Sequence, residues 1–168
     1  YALTLYQIGA LSAFARAADV PLAHVKPHGA LYHMTNADPE LADALAAAVR
    51  DFDARLILVG FAGGALTQAG ARLGLQVAQE AFVDRRYQRD GSLLSRAQPG
   101  AVIDVIDDAV RQALSSVLEG KVFSCDGNEE VSVVADTLCV HGDRPDAAAF
   151  AAALRSALQK AGVQIAAI

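Results

Sequence analysis

Lys26, His28, Glu80, Asp84, Arg85, Arg86, His141 and Asp143 are the residues of this 168-residue chain whose types and grouping can do chemistry. They fall into three separated clusters. The first is Val25-Lys26-Pro27-His28-Gly29-Ala30-Leu31-Tyr32, a lysine and a histidine set around a proline inside an apolar run. A fixed ammonium can stabilise an oxyanion or a phosphoryl group, and an imidazole can move protons. The second runs from Glu80 through Asp84-Arg85-Arg86, where the guanidinium groups can grip a carboxylate or phosphate bidentately. The third is His141-Gly142-Asp143. Two chemistries stay open. His28 and His141 with a carboxylate, Glu80 or Asp143, can hold a catalytic metal with an open position. The same groups can run metal-free acid–base catalysis. Each cluster also has a plainer reading: a turn with a solvated Lys26, and a surface salt-bridge cluster at Asp84-Arg85-Arg86. His24 is expected on a strand, His33 on a helix and partly exposed, and Cys139 as packing inside a strand.

The elements that must position these clusters alternate. Leu5, Ile8, Leu11 and Phe14 recur at helical spacing to about Ala18. A short strand at Ala23-His24-Val25 should end near Lys26, because Pro27 has no N–H to give a ladder. Asp38-Pro39-Glu40 opens a helix, with Asp38 as cap, Pro39 in the first turn and Leu41, Leu45, Val49 and Phe52 on one face. Arg55 to Gly60 is an apolar run too short for a helix and reads as a strand covered on both sides. Gly63-Gly64 turns into a helix over about 65–73; Phe61-Ala62-Gly63-Gly64 is only a weak phosphate-loop signal. A strand at 75–80 follows. The stretch 80–100 is polar and longer than the ~12–15 residues of an ordinary loop, which marks it as functional or disordered. Ile103 to Val117 reads as a helix closed by Gly120, 121–134 as a hairpin around Asp126-Gly127, and 137–141 as a fourth buried strand. Asp146 caps a last helix that buries Phe150, Leu154 and Leu158 and stops at Gly162; 163–168 is a closing strand or a tail. Strand and helix in alternation imply a parallel β/α architecture. In such folds sites form at the carboxyl ends of strands, which is where all three clusters lie.

Composition removes several classes. Hydrophobic residues make up 54%, charged residues 20%, and the net charge is −5, with no basic stripe carrying interleaved aromatics. That argues against a nucleic-acid groove. No apolar run reaches the ~18 residues of a membrane span, and the opening residues, with no charged segment before an apolar core, carry no expectation of a signal peptide. Cys125 and Cys139 give neither metal-ligand spacing nor a disulfide framework, so a reducing, cytoplasmic compartment is the expectation. One domain is the natural expectation for this length. The sequence starts at Tyr1, already in helical pattern, with no strand before it. A piece of a longer protein is expected on that ground.

Five stretches in order resemble the LamB/YcsF family: Leu5-Tyr6-Gln7-Ile8-Gly9-Ala10-Leu11, Val25 to Tyr32, Glu80-Ala81-Phe82-Val83-Asp84-Arg85-Arg86-Tyr87, Ser95-Arg96-Ala97-Gln98-Pro99-Gly100-Ala101 and Cys139-Val140-His141-Gly142-Asp143. The resemblance covers essentially all 168 residues, as one domain corresponding to the C-terminal two-thirds of the family's length. It implies a distorted parallel (β/α) barrel related to the glycoside hydrolase/deacetylase superfamily, here lacking its N-terminal strands. The family's Asn-Cys-Asp-Leu-Gly-Glu and Cys-Gly-Phe-His-Ala-Gly-Asp stretches and a histidine-proline motif do not occur in this sequence. The implied activity is that of the A subunit of prokaryotic 5-oxoprolinase: opening 5-oxo-L-proline to L-glutamate with hydrolysis of ATP, with Mg²⁺ accompanying the nucleotide, and with partner subunits B and C. A homo-oligomer is open. On that reading Lys26, His28 and Glu80 are the catalytic candidates, Lys26 at the carbonyl oxygen or a phosphate and His28 or Glu80 handling protons. Arg85, Arg86, His141 and Asp143 are the substrate-binding candidates. Two alternatives stand beside it: a metal-dependent deacetylase or amidase, and a non-catalytic substrate-binding subunit.

Overall fold

The computed structural model describes residues 1–168. The chain forms two compact units, residues 1–79 with Ile168 and residues 80–167. Its elements in order are α1 (Ala2–Ala17), β1 (His24–Val25), α2 (Gly29–Ala37), α3 (Pro39–Asp53), β2 (Ile57–Phe61), α4 (Ala65–Arg72), β3 (Val77–Phe82), α5 (Ile106–Leu114), a π-helical turn (Ser115–Glu119), β4 (Lys121–Phe123), β5 (Glu130–Ser132), β6 (Thr137–Cys139) and α6 (Ala147–Lys160). This is the mixed α/β architecture that the alternation of patterns predicts. β1 and β2 pair in parallel, as do β3 and β6. β1 has β2 as its one strand neighbour and β6 has β3, so the sheet order is β1-β2-β3-β6.

In the first unit, Asp38 caps α3 by accepting from the N–H groups of Glu40 and Leu41. Pro39 occupies the first turn, where a missing N–H costs nothing. The core brings Leu45 and Val49 of α3 and Leu66 and Ala69 of α4 against Leu56 and Leu58. α4 comes close to the strands because residue 70 is glycine: a Cβ there would stand 2.8 Å from Val77 and 2.9 Å from Leu58. The helix α1 departs from the expected stripe. Only Ile8 is buried, while Leu11 and Phe14 are 59% and 75% exposed.

The second unit has its own core, with Val83, Ile103, Ala109, Ala113, Phe150 and Leu154 at its centre. Three expectations shift there. Ile103 is not helical: its N–H donates to the Asp84 carbonyl, and α5 begins only at Ile106. β6 is half-buried rather than buried. Asp146 stands at the start of α6 but makes no side-chain cap, because Arg144 holds its carboxylate with Nε at 2.5 Å and Nη2 at 2.9 Å. Gly120 closes the π-helical turn with a left-handed φ of 67°, and β4–β5 form the expected hairpin. Residues 163–168 carry no strand.

Burial separates two apolar positions that look alike in sequence. Leu58→Ala is expected to cost about 2–5 kcal/mol of unfolding free energy, because it opens a cavity in a closed core. Phe14→Ser, on an exposed surface, should stay within about 0.5 kcal/mol. Urea unfolding of the two variants checks both.

Candidate functional site

In the first unit, the strand ends where Pro27 forbids it to continue, and Gly29 takes a φ of 59° that turns the chain into α2. Lys26 is half-buried, with its Nζ 5.7 Å from the centre of the Tyr32 ring. His28 is exposed and makes no side-chain cap to α2. Both line a cavity of about 530 Å³ together with Tyr6, Gln7 and Leu11 of α1. The Leu5–Leu11 and Val25–Tyr32 stretches therefore face one space. The Gly63-Gly64 turn commits its N–H groups within the chain. The Gly63 N–H donates to Gln79 Oε1 at 2.8 Å and the Gly64 N–H to the Phe61 carbonyl.

In the second unit, β3 and β6 run in register from Glu80↔Thr137 to Phe82↔Cys139. Two residues further on, the same register sets Asp84 beside His141. The Asp84 carboxylate accepts from the His141 backbone N–H at 3.0 Å, and both its oxygens lie within 2.9 Å of Nδ1 of the ring. The ring stacks on Phe82, with centroids 5.8 Å apart. Asp84 is 2% exposed, so its charge is out of water and depends on these donors. With Nδ1 turned to the carboxylate, Nε2 is the nitrogen left for other work. The His141 side chain is 27% exposed.

The Asp84-Arg85-Arg86 run is thus no surface cluster. Arg85 is buried, and its Nη2 donates to the Leu94 carbonyl at 2.6 Å while its Nε has no partner. Burial, and after it the charge of Arg96, lowers its pKa from the ordinary guanidinium value. Arg86 is half-buried and lines a separate cavity of about 320 Å³ that does not include Arg85. Glu80 is buried on β3 opposite Thr137. Asp143 is exposed and paired with Arg96 at 3.0 Å, which depresses its carboxyl pKa. No three His, Cys, Asp or Glu side chains group closely enough to hold a metal ion.

Sequence reasoning placed His141 among the candidates but took Asp84 for part of an anion clamp. The equal offset of the two residues from the ends of paired parallel strands is the signal that joins them. It also missed Gln112, whose Nε2 donates to the Phe82 and Arg85 carbonyls at 2.8 Å and holds the end of β3 onto α5. Tyr87 adds a second tie, its hydroxyl accepting from the Phe82 N–H at 2.7 Å. Burial raises the Tyr87 pKa well above the ordinary phenol value. A raised folded-state pKa contributes stability that is present below the unfolded value and lost as pH climbs through the folded one. Tyr87→Phe should therefore cost about 1–3 kcal/mol at neutral pH, from the abandoned N–H. It should also flatten the fall of stability above about pH 10. Denaturant unfolding at stepped alkaline pH measures both.

The LamB/YcsF family model matches residues 1–168. The chain is 54% identical over 165 residues to the A subunit of 5-oxoprolinase from Tolumonas auensis, covering 98% of this chain and 65% of that protein. It is 50% identical over 168 residues to the corresponding A subunit from Bacillus subtilis, covering 100% of this chain and 65% of that one. The crystal structure of a lactam utilization protein from Thermus thermophilus superposes with a TM-score of 0.90 at 50% identity, over all of this chain and 66% of its own. The chain thus spans about 65% of the length of those curated relatives. It belongs to the LamB/YcsF family.

Proposed function

We propose that this chain contributes to opening the lactam ring of 5-oxoproline, with His141 as the proton acceptor and Asp84 as the group that orients it. The relatives named as the A subunit of 5-oxoprolinase and as a lactam utilization protein support the substrate class. The observation that carries the reading is the buried Asp84 carboxylate on Nδ1 of a partly accessible histidine. Ring opening adds one water across the amide C–N bond. The water oxygen bonds to the ring carbonyl carbon, and one water proton passes to Nε2 of His141. The C–N electron pair then leaves on nitrogen, which takes up a proton to become the amino group of L-glutamate. Asp84 fixes the ring so that Nε2 presents its lone pair and stabilises the imidazolium that forms.

A lactam is a stable amide, and in this reading ATP, with Mg²⁺, supplies the driving force. Lys26 and His28, lining the cavity beside α1, are the first unit's groups suited to an oxyanion and to proton handling. Glu80 remains a further proton-handling candidate, and Asp143, held by Arg96, a polar group two residues beyond His141 in sequence. Arg85 spends its guanidinium on the Leu94 carbonyl, which leaves Arg86 as the better-placed anion binder of the two. Partner subunits B and C, the barrel relationship to carbohydrate deacetylases and a cytoplasmic setting belong to the same proposal. No helix is long and apolar enough to cross a bilayer. An oriented histidine would equally suit a metal ligand, but the donor trio that the deacetylase alternative needs is not assembled by these residues.

The test is turnover of 5-oxoproline by the complex reconstituted with its partner subunits. His141→Gln should lower kcat by about 10²–10⁴-fold, the usual worth of a general base. Asp84→Asn should lower kcat and also move the His141 ring ¹⁵N shifts away from the Nδ1-protonated tautomer. Turnover within about threefold of the parent for His141→Gln, a loss of less than 1 kcal/mol, would refute the assignment. If 5-oxoproline binding is retained as well, that result supports the substrate-binding alternative.

A further inference from the structure

We infer that the cavity between Arg86, α5 and the π-helical turn is a binding site for a phosphoryl group. Its volume is about 320 Å³, and Arg86, Arg111, Gln112, Ser115 and Phe123 are among its lining residues. Arg86 is half-buried, yet its guanidinium takes part in no ion pair or side-chain hydrogen bond. A guanidinium that lines a cavity with no counter-charge on it is suited to receive an anion there. The Ser115 hydroxyl makes the same argument independently. Its Oγ is shielded from solvent and has no hydrogen-bond partner, whereas the neighbouring Ser116 bonds back to the Ala113 carbonyl at 2.9 Å. Ser115 opens the π-helical turn, a departure from α geometry that recurs at functional sites.

The geometry favours phosphate over carboxylate. Donors come from three elements: Arg86 from the segment after β3, Arg111 from α5 and Ser115 from the π-helical turn. A tetrahedral group offers oxygens in several directions, whereas a carboxylate offers two in one plane and is satisfied by a single guanidinium fork. Asp108 also lines the cavity, ion-paired to Arg111. It offsets one of the two positive charges and holds that arginine in place, leaving Arg86 as the unbalanced cation. The Gln112 amide nitrogen is already committed to carbonyls of residues 82–85. Occupancy would therefore bear directly on the segment that carries Asp84. The source of the phosphoryl group is either a nucleotide or free phosphate. The inference stands apart from the role of His141, and either can fail alone.

The purified chain is titrated at constant ionic strength with inorganic phosphate, ADP or L-glutamate, following arginine side-chain ¹⁵N resonances. Saturable shifts of the Arg86 and Arg111 signals with phosphate or ADP are expected. Tighter binding of ADP identifies the nucleotide as the source, and equal binding identifies the free anion. Arg86→Gln should weaken binding by about tenfold or more, as expected for a lost charge-assisted contact. Ser115→Ala keeps the cavity's charge, and it should weaken binding by a smaller factor with no drop in thermal stability. Absence of a saturable shift with both phosphate and ADP overturns the inference, as does binding that neither variant alters. Saturation by L-glutamate alone also overturns it, in favour of a carboxylate subsite.

Discussion

A carboxylate taken out of water must find donors, and Asp84 finds its donors on one residue, His141. Backbone and ring are engaged together, so the contact fixes the position of the chain after β6 as well as the plane of the imidazole. Leaving Asp84 buried without that partner would cost more than an ordinary hydrogen bond contributes, because the whole desolvation penalty would be exposed. The contact is therefore strongly specified. Much of the second unit is arranged to keep Asp84 where this contact needs it. Gln112 and Tyr87 hold the carbonyls and N–H at the end of β3. Ile103 bonds to the Asp84 carbonyl from the other side.

Strand register makes this arrangement possible without any unusual local conformation. β3 and β6 pair in parallel, and His141 is as far beyond Cys139 as Asp84 is beyond Phe82. The side chains two residues past a paired position lie on the same face as that position. Phe82 therefore provides the stacking surface for the ring whose edge Asp84 binds. One residue of slip would exchange Asp84 for Val83 or Arg85 and leave the imidazole facing an apolar group or a like charge.

How far the fold was legible follows from the same physics. Helix starts with strong local chemistry, such as Asp38-Pro39, and the hairpin at Asp126-Gly127 emerged as the sequence implies, because caps and turns are local. The stripe on α1 was misleading: periodicity reports that a face is apolar, not that something covers it, and Leu11 and Phe14 remain exposed. Asp146 failed as a cap because Arg144, two residues before it, binds the same carboxylate. The candidate residues were legible as types, whereas their pairing was not. Asp84 beside two arginines reads as a salt-bridge cluster until the register of a strand 57 residues away is known.

Three consecutive charged residues after β3 have three different surroundings. Asp84 is turned to His141, Arg85 to the Leu94 carbonyl, and Arg86 to the cavity beside α5. A run that looks like a single clamp in sequence meets three separate environments. On the readings proposed above, one cation stands between a proton-transfer pair and an anion cavity. Arg85 stands in sequence between the two and is buried, with its pKa depressed but its charge tied to a backbone carbonyl. If the cavity takes a phosphoryl group, the anion would draw on Arg86 one residue away, and the strain would pass through a segment already anchored by Gln112. Coupling between an anion held there and the orientation of His141 would need no long pathway, since only Arg85 separates Arg86 from Asp84.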